Sequence, residues 1–382
     1  MVVLPYGRVP YPLDLGNRLV TSVLAPASPP ASDPAALVEA ALDHPIGRPR
    51  LEARMSPNAR VTVIVSDATR NEPRAVFLEA LRRRLPGVRW TLAIATGTHG
   101  PSGVTGLGIP SELLAAATVV DHDGHSEADL VSLGVTSRGT PMRVHRCVVD
   151  ADLVIATGCI RPHYFAGFGA GVKAIFPGLG GAREVRINHR LKTSPLSRAG
   201  RVDDNPCRLD LEEAVGLLST PTFLLDGVCA MDGRVHAAVA GDPIAAFRRG
   251  VEVARPWFTV RASRAPVVIA SDVLPVTATL YQSAKIAAAC ASLVEPDGAL
   301  IVVAECAEGT GPLATVNEAI LRIGVLPRLA PGARLFLVSS MSEAVVSSTL
   351  ATFASSVTDV VTRYPGAITV VPTASQLLFE DV

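Results

Sequence analysis

Apolar positions along this chain fall in short runs separated by polar punctuation. Val61-Thr62-Val63-Ile64-Val65 predicts a strand that stops at Ser66-Asp67, with a helix from about Pro73 to Arg84 behind it. Thr91–Ala95 predicts a second strand and ends in Thr96-Gly97-Thr98-His99. Thr118–Val120 predicts a third, before Asp121-His122-Asp123, and Leu153–Ala156 a fourth, entering a glycine-rich stretch. The pattern resumes near Pro266, with strands at Val267–Ala270, Leu300–Val303, Leu335–Val338 and Ile368–Val371, and a helix from about Leu280 to Leu293. β-Branched runs alternating with helical segments predict an α/β fold with mainly parallel sheets. Two such domains are expected, residues 1–258 and 259–382, with the active site in the cleft between them and the last residues packing back on the first domain. The boundary falls in Arg255–Pro266, where Pro and Arg interrupt the pattern. The Ala/Pro/Ser segment 25–35 reads as a surface loop or arm.

Composition narrows the function classes. Among 382 residues, 35 Lys+Arg balance 35 Asp+Glu, and charged residues are only 18% of the chain. No basic face is available for a polyanion, so nucleic-acid binding is not expected. Mean hydropathy is +0.35, yet no window reaches the roughly 18 uninterrupted apolar residues of a spanning helix. Strands buried on both faces account for the apolar excess. The N-terminus lacks a signal-peptide pattern. The six cysteines are scattered, with no Cys-x-x-Cys pair. A cytoplasmic, reduced protein is the expectation.

The candidate chemistry gathers at predicted strand ends, where open α/β sheets bind ligands. Pro162–Gly178 is glycine-rich but is not a phosphate-binding loop of the Gly-Lys-Ser/Thr type, because Val172 separates Gly171 from Lys173. Gly167, Gly169 and Gly171 are also wrongly spaced for a dinucleotide fingerprint. Its glycines would still let backbone approach an anion, and a tight turn with a surface lysine is the plainer alternative. A lone loop histidine is more often structural. The grouping of His99, His163 and His189 with Lys173, Asp67 and Arg70 shifts that balance, since two histidines can serve as base and acid on one carbon. His122 and His125 have a chelating spacing, but the Asp and Gly around them indicate a turn. Arg82-Arg83-Arg84 reads as a solvated helix end. Gln282 and Lys285 share one helix face, a pairing suited to a carboxylate or to an ordinary helix surface.

Taken in order, these pieces resemble the nickel-dependent lactate racemase family. The matching residues are Asp67-Ala68-Thr69-Arg70, Thr96-Gly97-Thr98-His99, His122-Asp123, Gly139-Thr140-Pro141 and the block Pro162–Gly178. Asn188-His189-Arg190, Asn205-Pro206, Tyr281-Gln282-x-x-Lys285 and Glu308-Gly309-x-Gly311 follow. The resemblance implies a racemase or epimerase of a 2-hydroxy acid, working by reversible hydride transfer to a nickel-pincer nucleotide. Lys173 would carry that cofactor covalently and His189 would be the protein ligand to nickel. His99 and His163 would be the two bases. Arg70, Gln282 and Lys285 would contact the substrate, and Asp67, Thr69, Gly169 and Gly171 the nucleotide. Partners implied are a small 2-hydroxy acid and the enzymes that synthesise and load the cofactor; a homodimer is compatible with this.

Departures from the family pattern lie at Ala68, Asn71, Gly100 and Gly169, and in Asp272–Thr277. The lysine and all three histidines are kept, so the expected substrate is a hydroxy acid other than lactate. Two further readings stand beside this one. The chain could be a non-catalytic binder or carrier of the cofactor or a related nucleotide. Or it could be a nickel-independent enzyme of small hydroxy acids.

Overall fold

The computed structural model describes residues 3–27, 32–53, 55–230 and 233–381. The chain divides into two compact units, Ser28–Trp257 and a second made of Met1–Ala27 with Phe258–Val382. The first unit is built on strands β1 (Arg60–Ser66), β2 (Arg89–Ala95), β3 (Thr118–Asp121), β4 (Leu153–Ile160), β5 (Thr222–Cys229) and β6 (Val235–Gly241). Their order across the sheet is β3-β2-β1-β4-β5-β6, parallel except for β6. This is a doubly wound order whose switch point lies between β1 and β4. The helices used below are α1 (Arg74–Arg84), α2 (Ala182–Arg190), α3 (Pro206–Gly216) and α4 (Ala245–Phe258).

The central strands are buried on both faces, as their unbroken apolar runs require. Val61, Val63, Val65, Leu92, Ile94 and Ile155 pack with Phe77, Leu78 and Leu81 of α1, while Ile64, Ala93, Val154 and Ala156 are buried as well. The arginine run at the end of α1 is less solvated than expected. Arg84 is paired with Glu39, Asp43 and Glu52 and its side chain is only 14% exposed.

The second unit carries β7 (Ala265–Ala270), β8 (Val294–Val303), β9 (Arg334–Val338), β10 (Thr352–Phe353) and β11 (Ile368–Val371). The all-parallel order is β10-β9-β8-β7-β11, completed by the short strand Ser22–Val23. Helix α5 (Leu280–Cys290) packs on it through Leu280, Ala284, Ile286 and Ala287.

The domain limits read from sequence need one correction. Residues 1–27 belong with the second unit, because Ser22–Val23 pairs with β11. The last strand, Leu378–Asp381, pairs with Thr259–Ala262 of that same unit. The units divide between Trp257 and Phe258, at the end of α4, which runs through Arg255 and Pro256. Of the segment 25–35, residues 28–31 lie outside the described residues. Among the described residues no helix is long and apolar enough to cross a membrane.

Candidate functional site

The loop after β1 starts the site. Buried Glu72 accepts the Ser66 N–H at 2.7 Å, and the guanidinium of buried Arg74 donates to the Arg70 carbonyl at 2.8 Å and to that of Asp67. These two charged side chains turn the backbone so that the Asp67 carboxylate faces inward. Its Oδ1 accepts the Thr69 N–H at 3.0 Å, and its Oδ2 lies 2.7 Å from His99 Nδ1. Burial pushes the Asp67 carboxyl up, but the hydrogen bonds from His99 and Thr69 outweigh it and hold the group below its ordinary range. Asp67 is therefore a carboxylate, and His99 donates Nδ1–H to it, leaving Nε2 as the acceptor of the neutral ring. Thr69, Asp67 and His99 thus form one hydrogen-bonded series. Arg70 is exposed on the same loop.

The segment after β4 holds the next group. Pro162-His163 forms a two-residue antiparallel ladder with Gly167-Phe168, opposing His163 to Gly167. The Ala166 N–H donates to His163 Nδ1 at 3.2 Å, so the neutral ring carries its proton on Nε2. The buried Phe165 ring is the centre of the cluster. It meets His163 edge-on at 4.6 Å, meets His189 at 4.8 Å, and carries Lys173 Nζ at 5.5 Å from its centroid. Three of the residues singled out from sequence thus surround one phenyl group. The Gly97 N–H donates to the Gly178 carbonyl at 2.9 Å, tying the His99 loop to the same segment.

Gly171 has φ +66°, its N–H donates to Asp226 Oδ2 at 2.8 Å, and a Cβ there would lie 2.8 Å from the Phe247 ring. Glycine is needed at this position for packing and backbone reasons internal to the protein. Gly169 is under less constraint, since a Cβ there would meet the nearest atom at 3.5 Å.

His189 sits in the last turn of α2. Its neighbour Asn188 donates to Asp210 Oδ2 at 2.8 Å, and Asp210 also accepts from the Thr140 hydroxyl at 2.6 Å and from Thr136. Burial, with the Lys173 ammonium second, pushes His189 down to about 3. It is a neutral imidazole at ordinary pH, and no hydrogen-bond partner reaches its buried Nδ1 among the described residues. On the second unit, Thr279 caps α5 and the Lys285 ammonium donates to Gln282 Oε1, so the two side chains lie together as the helix face predicts.

The His122–His125 pair is a turn. Asp123 accepts the His125 N–H at 2.9 Å, and buried His122 uses Nε2 on the Gly180 carbonyl at 3.0 Å. Among the described residues no three His, Cys, Asp or Glu side chains gather to hold an ion.

Sequence reasoning missed the buried polar residues that support these groups: Glu72, Arg74, Arg208, Asp210 and Asp226. A signal was present, because Asp226 interrupts the apolar run Phe223-Leu224-Leu225 before Gly227-Val228 in β5. A carboxylate in a strand buried on both faces has a specific partner or stays neutral.

Residues 6–200 match the lactate racemase N-terminal domain family, and residues 104–326 match a domain of unknown function, DUF362. The chain is 28% identical over 322 residues to the lactate racemase of Thermoanaerobacterium thermosaccharolyticum, covering 81% of this chain and 75% of that one. It is 28% identical over 283 residues to the lactate racemase of Lactiplantibacillus plantarum, covering 72% of this chain and 66% of the relative. The lactate racemase apoprotein structure from T. thermosaccharolyticum superposes with a TM-score of 0.85 at 25% identity, over 99% of both chains. A Thermotoga maritima protein shares the fold, with a TM-score of 0.67 at 14% identity over 94% of this chain and 100% of that one. With the family matched across half its length, this chain belongs to the lactate racemase family and is an isomerase of the racemase kind.

Proposed function

We propose that the protein interconverts the enantiomers of a 2-hydroxy acid other than lactate, using a nickel-pincer nucleotide held by Lys173 and His189. The observation that carries this reading is the cluster of His163, His189 and Lys173 around the Phe165 ring. The residues present fit the group. A buried neutral imidazole with an unpartnered nitrogen is a competent metal ligand, and a lysine stands close enough to it to depress its proton affinity. When bound, such a cofactor supplies a reversible acceptor for the α-hydrogen with its electron pair, so the reaction passes through the 2-keto acid and avoids a carbanion.

The protein's own part is proton management. His99, anchored through Nδ1–H on Asp67, presents an Nε2 lone pair and takes the hydroxyl proton of one enantiomer as its α-hydrogen leaves. His163 is the base for the opposite enantiomer; entering the cycle as the imidazolium, it would give one proton to the ketone oxygen and return to the neutral ring. After that turnover the two rings have exchanged protonation states, which suits them to the reverse direction. Arg70 on the β1 loop offers a cation that a carboxylate takes, and on α5 Gln282 with Lys285 offers a cation and an amide donor of the same use. The altered residues Ala68, Asn71 and Gly100 lie on the same loops as Asp67 and His99, in support of a substrate other than lactate.

The test is co-expression with the cofactor-synthesis enzymes, then intact-mass and nickel analysis, then a screen of chiral 2-hydroxy acids by loss of optical activity. A Lys173 adduct with about one nickel per chain and racemisation of one acid is the expected result. His99→Ala and His163→Ala should lose turnover and keep nickel. No adduct on Lys173 refutes the cofactor assignment. An adduct without racemisation of any acid selects the carrier, and activity that survives nickel removal selects a nickel-independent enzyme.

A further inference from the structure

Arg208, in the first turns of α3, is completely buried, and among the described residues no carboxylate lies within ion-pair distance of it. Its guanidinium instead donates to three carbonyls of the glycine-rich segment: Ala166 at 3.3 Å, Ala170 at 3.5 Å, and Phe168. The three carbonyls stand at alternate residues of the segment, and the planar fork of Arg meets all three at once. The Phe247 ring stacks on the other side of the guanidinium, 4.2 Å from it. One residue further on, the Gly171 N–H donates to Asp226 at 2.8 Å. The segment between His163 and Lys173 is thus held by a buried donor along its carbonyls and a buried acceptor at its end. Asn205, which caps α3, extends the grip to the Phe165 carbonyl at 2.8 Å.

We propose that Arg208 is a positioning residue: it sets the backbone of residues 166–170 so that His163 and Lys173 are aimed together at the Phe165 ring. Burying an unpaired guanidinium is expensive, and an apolar side chain of similar volume would cost the fold less. What the guanidinium adds is direction, since three hydrogen bonds in one plane fix where the next residues point. The inference rests on the proposed roles of His163 and Lys173, but its first readout does not.

The experiment compares Arg208→Met and Arg208→Lys with wild type. Arg208→Met keeps the apolar volume, and Arg208→Lys keeps the charge without the fork. In the cofactor-free protein, Lys173 is labelled with an amine-reactive reagent and its rate is read by peptide mass spectrometry against Lys285 as internal control. Thermal unfolding is recorded alongside. The expected result is a folded variant in which relative Lys173 labelling changes by about tenfold or more, of the order that small misplacements of reacting groups produce. After co-expression with the cofactor-synthesis enzymes, the Lys173 adduct should fall by a similar factor, with kcat reduced more than KM rises. A folded Arg208→Met or Arg208→Lys protein with labelling within about twofold of wild type, a change too small for such misplacement, overturns the proposal. Failure of both variants to fold also overturns it, in favour of a plain structural role. If wild type takes no adduct, the cofactor reading has failed, and the labelling ratio still decides the role of Arg208.

Discussion

Asp226 offers the sharpest test of how the buried end of the glycine-rich segment is held. It is fully buried on β5, with Oδ2 accepting the Gly171 N–H and Oδ1 without a hydrogen-bond partner among the described residues. Burial pushes its carboxyl up from 3.8 to about 8, against the lowering pull of the Gly171 N–H. The folded protein therefore keeps a proton at neutral pH that the unfolded chain releases. For an acid raised in this way, stability is fully present below the unfolded value and is lost as pH rises toward the folded value. Between pH 5 and 7 the folded state holds about one more proton than the unfolded state, a slope of about −1.4 kcal/mol per pH unit. Asp226→Asn removes that proton and keeps the shape. Whatever the substitution costs in itself, the stability of Asp226→Asn relative to wild type should rise by about 2.5 kcal/mol from pH 5 to pH 7. Urea denaturation followed by tryptophan fluorescence reads this directly, because both tryptophans, Trp90 and Trp257, lie in the unit that contains Asp226. A pH-dependent difference below about 1 kcal/mol, or one of opposite sign, would mean that Asp226 is ionised in the fold, and the reasoning would be wrong.

Two further outcomes follow from the same geometry. Asp67→Asn should leave nickel and the Lys173 adduct in place while lowering kcat by about 10²–10⁴, the usual worth of a well-placed general base; a kcat within about threefold of wild type would show that Asp67 does not orient His99 for catalysis. Gly171→Ala should destabilise the first unit by about 1–2 kcal/mol for the left-handed backbone and about 1–3 kcal/mol for the clash with Phe247. Adding Phe247→Leu should recover only the second part in a double-mutant cycle, and full recovery would mean that the backbone carries no strain.

Much of this protein was legible in its sequence because parallel strands buried on both faces write themselves as unbroken apolar runs. The strands at Val61, Thr91, Thr118 and Ile368 and the helix at Leu280 lie where those runs place them. The candidate residues at the strand ends stand out in sequence for a related reason: His99, His163, Lys173 and His189 are polar residues in glycine-rich surroundings, which packing alone does not explain. The partners of these residues were not legible. That Ser22–Val23 closes the second sheet depends on pairing across more than 340 residues, and a two-residue strand carries no periodicity of its own. Phe165 reads in sequence as one more core aromatic, and only the folded hairpin brings His163, His189 and Lys173 around it.

The sequence by itself determined the α/β class and the residue types that can move a proton or hold a metal. These are local properties, set by side-chain period and by the scarcity of charge in an apolar chain. Only the tertiary structure decided which nitrogen of His99 and of His163 is hydrogen-bonded within the protein, that His189 is neutral, and that Arg208 and Asp226 hold the segment between them. Tautomer, protonation and backbone aim depend on burial and on hydrogen-bond partners distant in sequence, and no local pattern of residues encodes those.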